Sequence, residues 1–154
     1  MILSNNEMYK MNEILKIPNL KIISKNELND IKINDKNFKI NYIINLDDDK
    51  GTHWTALYKN YYFDSYGVLP PESVENYLYN KYLYSDIQFQ PINKNSNYCG
   101  WFCLLFLYYM NNNGTKNDDF KFNNFLHLFN RNNISLNKKI IFDYFIDILK
   151  YENK

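Results

Sequence analysis

Apolar side chains recur every three or four residues near both ends of the chain, a spacing typical of amphipathic helices. The first helix should begin just after Ser4, because Ser4 and Glu7 have the spacing of a capping box. Further helices are predicted over residues 99–110, 118–129 and 136–151. The segment 99–110 is almost entirely apolar, so that helix should be buried on all sides.

The middle of the chain is rich in β-branched and aromatic residues and predicts short strands. The predicted strands are residues 41–46, 53–58, 61–64 and 86–90. Lys59 and Asn60 separate the second from the third, which predicts a two-residue hairpin. A short helix should begin within residues 70–72, and residues 20–38 are expected to be rich in loops. Strands in the middle with helices at both ends indicate an α+β fold.

Composition is that of one folded domain, and we assign residues 1–154 to it. The chain is 45% hydrophobic and 23% charged. It has no apolar run of the roughly 18 residues that a membrane span needs, and no secretory signal at its start. The net charge of +1 indicates neither nucleic acid nor a membrane as a partner. Two cysteines four residues apart make no disulfide framework, so a reducing, intracellular compartment is expected.

Four side chains could form the site of a cysteine nucleophile: His53, Asp64, Gln90 and Cys99. Such a nucleophile needs a base, a carboxylate that orients the base, and donors for the oxyanion. Cys99 opens the buried helix, whose N-terminus favours a thiolate, and Gly100 would let a substrate carbonyl approach the backbone there. His53 and Asp64 should lie at one edge of the sheet, close enough to hydrogen-bond if they face each other.

Three ordered motifs strengthen this interpretation. They are GTHW at residues 51–54, YFDSYG at 62–67 and NSNYCGWFC at 95–103. Together they resemble the adenain-like cysteine proteases of adenoviruses, virophages and Polinton-type mobile elements. More distantly, they resemble the proteases of SUMO and other ubiquitin-like modifiers. The likeness runs from about residue 41 to residue 111.

The resemblance implies a papain-like or adenain-like α+β fold, with a small mixed sheet, flanking helices and a central helix that carries the nucleophile. It assigns Cys99 as the nucleophile, His53 as the general base and Asp64 as the carboxylate that orients it. Gln90 corresponds to the oxyanion-hole side chain. Trp54 corresponds to a tryptophan that narrows the substrate channel and so favours small residues, typically glycine, just before the cut.

The position of the oxyanion-hole side chain stays open. The family usually places this glutamine about six or seven residues before the cysteine, whereas Gln90 lies nine before Cys99. A two-residue insertion near residues 92–94 would reconcile the spacing. Asn93 or Gln88 could fill the role instead.

The implied function is a cysteine endopeptidase that cleaves capsid or core precursor proteins during virion maturation, without a metal or other cofactor. An activating peptide is a further partner that the resemblance allows. Two alternatives stay open: a deconjugating protease for a ubiquitin-like modifier, and a binding module that keeps the fold without activity. The short chain leaves little room for the surfaces that grip a modifier, and the retained His53, Asp64 and Cys99 argue against a binding module.

Other residues that could suggest chemistry have simpler interpretations. Cys103 should be a small buried side chain, because two cysteines without further ligands make a poor metal site. His127, in an aromatic helix, should be structural. The acidic run at residues 47–49 should be a solvated turn, because no calcium-loop pattern follows it.

Overall fold

The computed structural model describes residues 3–31, 39–47, 53–79, 81–92, 98–114 and 116–152. Its helices are α1 (Asn5–Leu15), α2 (Lys25–Asn29), α3 (Glu72–Tyr77), α4 (Cys99–Asn112), α5 (Asp118–Leu126) and α6 (Asn137–Glu152). Its strands are β1 (Leu20–Ser24), β2 (Asn41–Asn45), β3 (Trp54–Tyr58), β4 (Tyr61–Phe63) and β5 (Leu83–Tyr84). A 3₁₀ turn at Ile134–Leu136 leads into α6.

The five strands form one mixed sheet in the order β1-β2-β3-β4-β5. The central strand β3 is antiparallel to both of its neighbours, β2 and β4, and each outer strand runs parallel to the strand beside it. The predicted two-residue hairpin is confirmed: β3 and β4 pair up to Tyr58 and Tyr61, and Lys59 has a positive φ of 53°. The protein therefore has the predicted α+β architecture with a small open sheet.

Side chains alternate between the two faces of the sheet along each strand, and helices cover both faces. One face packs against α4, with α1, α5 and α6 around that helix. The side chains of this core include Ile43, Ala56, Phe63, Phe102 and Phe106. The other face packs against α2 and α3. Among the described residues, its buried side chains include Leu28, Tyr42, Ile44, Leu57, Tyr62, Val74, Tyr77 and Leu78. The sheet is thus the middle of three layers, and α4 lies across it in the larger core.

A local signal sets the start of the first helix, and a side chain of α5 binds near the end of the fourth. The Ser4 hydroxyl accepts a hydrogen bond from the Glu7 N–H at 3.2 Å, and Glu7 accepts one from the Ser4 N–H at 3.1 Å, so the predicted capping box is present. Helix α4 is buried around most of its circumference, as expected from its apolar sequence. Near its end the Lys121 ammonium donates to the Met110 carbonyl at 2.8 Å.

Several predicted elements differ from the structure. The prediction of loops across residues 20–38 is wrong over its first part, where β1 and α2 form. The prediction of a strand at 86–90 is also wrong, because this segment joins no ladder and the fifth strand is Leu83–Tyr84. In the acidic run, Asp47 is exposed, and residues 48 and 49 lie outside the described part of the chain. No helix within the described ranges has both the length and the apolar character needed to cross a membrane.

Candidate active site

Cys99 is the first residue of α4 and lies against the beginning of β3. Its side chain is almost fully buried, with 1% of its surface exposed. The backbone N–H of Trp54 donates a hydrogen bond to the Cys99 sulfur at 3.2 Å. A donor on the sulfur and a helix N-terminus behind it both stabilise negative charge on that atom.

His53 and Asp64 form a direct, buried pair beside this sulfur. Nε2 of His53 lies 2.9 Å from Oδ1 of Asp64. The Asp64 side chain is 1% exposed and that of His53 12%. The same carboxylate oxygen accepts the backbone N–H of Tyr66 at 2.8 Å, which fixes the carboxylate independently of the imidazole. Asp64 can therefore orient the ring of His53.

His53 and Asp64 were expected to lie directly opposite each other on β3 and β4, but in the structure they do not. Ala56 pairs with Phe63 in the β3–β4 ladder. Continuing this register places Asp64 opposite Thr55 and Tyr66 opposite His53. The imidazole therefore reaches the carboxylate along a diagonal, a separation that long side chains can bridge.

The surroundings favour the protonated form of the His53 imidazole. Burial alone would lower the pKa of His53, because a charged ring loses water. The hydrogen bonds to Asp64 and to the Cys99 side chain, together with the negative charges of both groups, outweigh that effect and raise the pKa of His53 to about 9. The imidazole is thus suited to form an ion pair with a thiolate.

The two ring nitrogens of His53 have different surroundings. Nε2 is held by Asp64. Nδ1 is buried and makes no hydrogen bond to a nitrogen or oxygen atom of the described residues. Because the Cys99 side chain also contributes to the raised pKa of the ring, Nδ1 is the nitrogen left to exchange a proton with the thiol.

Gln90 is held beside the start of α4 by two hydrogen bonds. Its Oε1 accepts the backbone N–H of Tyr98 at 2.8 Å, and its Nε2 donates to the Ser65 hydroxyl at 2.7 Å. Because a backbone N–H can only donate, the Tyr98 contact fixes which end of the amide is the oxygen. One N–H of Nε2 remains for another acceptor.

The two alternatives to Gln90 differ in what the structure describes. Gln88 is exposed, and its side-chain amide donates a hydrogen bond to the Gln90 carbonyl at 3.0 Å, so it supports the backbone of Gln90. Asn93 lies outside the described residues. Of the two described candidates, Gln90 is the one whose side chain bonds the residue just before Cys99.

Trp54 and Gly100, for which substrate contacts are predicted, both contact the N-terminal segment of the chain. The Trp54 indole is 2% exposed, and its N–H donates to the Leu3 carbonyl at 3.2 Å. A Cβ added at Gly100 would lie 3.3 Å from the Leu3 Cβ and 3.4 Å from the Met8 sulfur. The absent side chain of Gly100 therefore leaves room for this segment.

Two further residues complete the site and were not singled out from the sequence. Ser65 is buried and accepts the Gln90 amide. Tyr66 stacks on the His53 ring, with centroids 4.1 Å apart and an angle of 2° between the planes. The sequence placed both only within a bend. The signal that could have found Tyr66 is the hairpin register, which puts it opposite His53.

Cys103 has the buried setting that was expected of it. Burial raises the pKa of its thiol well above the usual value, and the charges of Cys99 and Asp64 add to the rise. His127 ends α5, where its Nδ1 contacts the Asn123 carbonyl at 2.7 Å. The described residues contain no cluster of three or more histidine, cysteine or acidic side chains that could hold a metal.

Comparison with protein families and with curated proteins finds no match for this chain.

Proposed function

We propose that this protein is a cysteine endopeptidase that acts through a thioester acyl-enzyme, with an adenain-like variant of the papain-like fold. The observation that carries the proposal is the His53 imidazole, fixed by the buried Asp64 and electrostatically coupled to the Cys99 thiol at the start of α4. A carboxylate, an imidazole and a thiol in this order are what an activated sulfur nucleophile requires. The resemblance of the three sequence motifs supports the same proposal.

In the first half of the reaction, Nδ1 of His53 holds the proton of the Cys99 thiol, and the sulfur attacks the scissile carbonyl carbon. The carbonyl oxygen becomes negative. The Cys99 backbone N–H at the start of α4 and the second N–H of Gln90 Nε2 are the proposed donors for it. When the C–N bond breaks, the imidazolium gives its proton to the departing amine. This leaves a thioester on Cys99.

In the second half, a water molecule attacks the thioester carbon while His53 accepts a proton from that water. The C–S bond then breaks, the acid is released and the sulfur takes back its proton or stays paired with the imidazolium. Asp64 keeps the ring in one orientation through both halves. These steps need no metal ion and no organic cofactor.

The proposed substrates are precursor proteins of a capsid or core, cut after small residues. This part of the proposal rests on the motif resemblance alone. The buried Trp54 does not line an open channel while Leu3 lies against it, so its contact with substrate would require that segment to move.

The test is mass spectrometry of the protein after reaction with a peptide electrophile that ends in Gly-Gly. We expect one covalent adduct on the wild-type protein and on Cys103→Ala, and none on Cys99→Ala. The two cysteines lie one helical turn apart, so Cys103→Ala is a matched control. An adduct that survives Cys99→Ala would contradict the assignment of the nucleophile.

A second probe separates the proposal from its alternatives. A ubiquitin-like modifier with a C-terminal electrophile should label a deconjugating protease much faster than the short peptide does. Equal or faster reaction of the peptide supports the maturation endopeptidase. Failure of both probes to react, with the Cys99 thiol reduced, would indicate a binding module and refute the proposal.

A further inference from the structure

The Tyr66 ring covers one face of the His53 imidazole. The two rings are almost parallel, at 2°, and their centroids lie 4.1 Å apart. This is the contact distance of stacked rings, so no water fits between them. The hydrogen bond to Asp64 restrains one edge of the imidazole, and Tyr66 restrains its face.

The backbone around Tyr66 is itself held firmly. The turn from Asp64 to Gly67 is closed by a hydrogen bond from the Gly67 N–H to the Asp64 carbonyl at 2.9 Å. Within it, the Tyr66 N–H donates to the Asp64 carboxylate at 2.8 Å. The ring that covers the imidazole and the carboxylate that binds its edge therefore belong to one four-residue turn.

Contacts outside the turn fix its place relative to the rest of the site. Gly67 has a φ of +72°, and a Cβ added there would lie 2.7 Å from the backbone of Ile87. The Ser65 carbonyl accepts the Phe89 N–H at 2.8 Å. The turn is thus packed against residues 86–89, which lead into Gln90, and it has little freedom to shift.

We propose that Tyr66 is a positioning residue for the reaction: its ring holds the His53 imidazole in the plane that serves both Asp64 and the Cys99 sulfur. This inference rests on the proposed function. Without the Tyr66 ring, the imidazole could turn about its bond to Cβ while Nε2 still reached Asp64, and Nδ1 would no longer aim at the thiol. A face-on aromatic ring also favours the imidazolium that forms during the reaction.

The aromatic ring, and not its hydroxyl, carries this role. The stacking involves the ring face, and the contact with Asp64 is made by the backbone N–H. Burial, with the negative charges of Cys99, Asp64 and Asp47, raises the pKa of Tyr66 to about 12, so its hydroxyl stays neutral in the working pH range. Tyr66→Phe should therefore preserve function, whereas Tyr66→Leu should not.

The first experiment is proton NMR of the imidazole groups. The chain contains two histidines, and the exposed His127 provides the internal reference. A ring stacked on the His53 face should move its carbon-bound protons upfield of those of His127, compared near pH 5 so that the charge of the His53 ring is the same in every variant. We expect this shift in the wild-type protein and in Tyr66→Phe, and its loss in Tyr66→Leu. If the wild-type His53 protons show no upfield shift, the stacking does not exist in solution and the inference fails.

The second experiment measures peptide hydrolysis and thiol alkylation in the same variants. A misplaced base should lower kcat by about 10²-fold in Tyr66→Leu with little change in KM, because an error of about 1 Å in a reacting group has that effect. Alkylation near pH 6 should slow in Tyr66→Leu and return in Tyr66→Phe, whereas alkylation near pH 10 should be the same in both. A background of Cys103→Ala confines the reaction to Cys99.

The outcomes separate the two proposals. If Tyr66→Leu folds and keeps the wild-type kcat and the rapid alkylation near pH 6, Tyr66 has no positioning role, and the endopeptidase proposal is unaffected. If the wild-type protein shows neither hydrolysis nor alkylation that depends on His53, the proposed function fails, and the NMR shift still decides whether Tyr66 orients the imidazole. Loss of function in Tyr66→Phe as well would overturn the assignment to the ring.

Discussion

The stability of the fold should depend on pH through His53. The perturbation is His53→Ala, compared with the wild-type protein from about pH 6 to pH 9.5. In the folded protein the pKa of His53 is raised from 6.5 to about 9. Burial lowers this pKa, but the hydrogen bonds to Asp64 and Cys99 and the charges of these two groups raise it by more. Between these two values the folded state holds a proton that the unfolded chain has lost.

The sign and size of the effect follow from this difference. A folded state that binds more protons loses stability as pH rises. The contribution of His53 is therefore complete below about pH 6.5 and disappears as pH rises through about 9. One pKa unit corresponds to about 1.4 kcal/mol, so the rise to about 9 corresponds to about 3 kcal/mol of unfolding free energy. The physical origin is the buried Asp64 carboxylate, which has an imidazolium partner only while the ring is protonated.

The assay is urea unfolding followed by tryptophan fluorescence, with the unfolding free energy extrapolated to zero denaturant at each pH. Between pH 6 and 9.5, the wild-type protein should lose about 3 kcal/mol more than His53→Ala. His127→Asn, which changes the exposed histidine at the end of α5, should keep the wild-type dependence. Parallel curves for the wild-type protein and His53→Ala would refute the argument that Asp64 and Cys99 raise the pKa of this imidazole.

Three further predictions concern the partners of the site. Asp64→Asn should bring the pKa of His53 down towards its ordinary value, measured by NMR titration, and should lower kcat; an unchanged titration would show that Asp64 does not control the ring. Gln90→Ala should lower kcat by about 10²–10³-fold, the usual loss for one oxyanion donor, and Ser65→Ala should lower it less; equal losses would place the Ser65 hydroxyl in the reaction itself. Gly67→Ala should lower the unfolding free energy by about 1–3 kcal/mol, measured by urea unfolding, because its positive φ and the backbone facing it leave no room for a Cβ; wild-type stability would contradict this.

The helices were predictable because their signals are local. The capping box of Ser4 and Glu7 fixes the start of α1 within four residues of chain. The continuous apolar run of α4 and the acidic first turn of α5 act over similar distances. These features can be recognised without knowing what the helix packs against.

The missed elements depend on partners that are distant in sequence. Strand β1 has a single buried residue, Ile22, and so shows no alternation; it exists because Leu20 pairs with Asn41 in a parallel ladder. The segment 86–90 has the composition of a strand, but its Phe89 N–H bonds to the Ser65 carbonyl of a turn. Composition does not specify which acceptor a backbone N–H will find.

For the site, the sequence indicated which chemical groups come together but not how they are oriented. His53, Asp64 and Cys99 lie together as their order and motifs suggested. The diagonal contact between His53 and Asp64, and the stacking of Tyr66, follow from the exact register of β3 and β4. A two-residue hairpin fixes that register, so the sequence contained the information, although the residues that flank a strand draw less attention than those within it. The Leu3 contact with Trp54 joins residues 51 positions apart and had no local signal.

The difference between the two cysteines shows how the fold selects one of them for the proposed chemistry. Cys103 lies one turn into α4, where burial raises its thiol pKa well above the usual value. Cys99 lies where β3 meets the first turn of the helix, so the Trp54 N–H reaches its sulfur and the His53 ring lies beside it. Residue type does not distinguish the two thiols. Cys99 is the proposed nucleophile because the start of α4 lies against the start of β3.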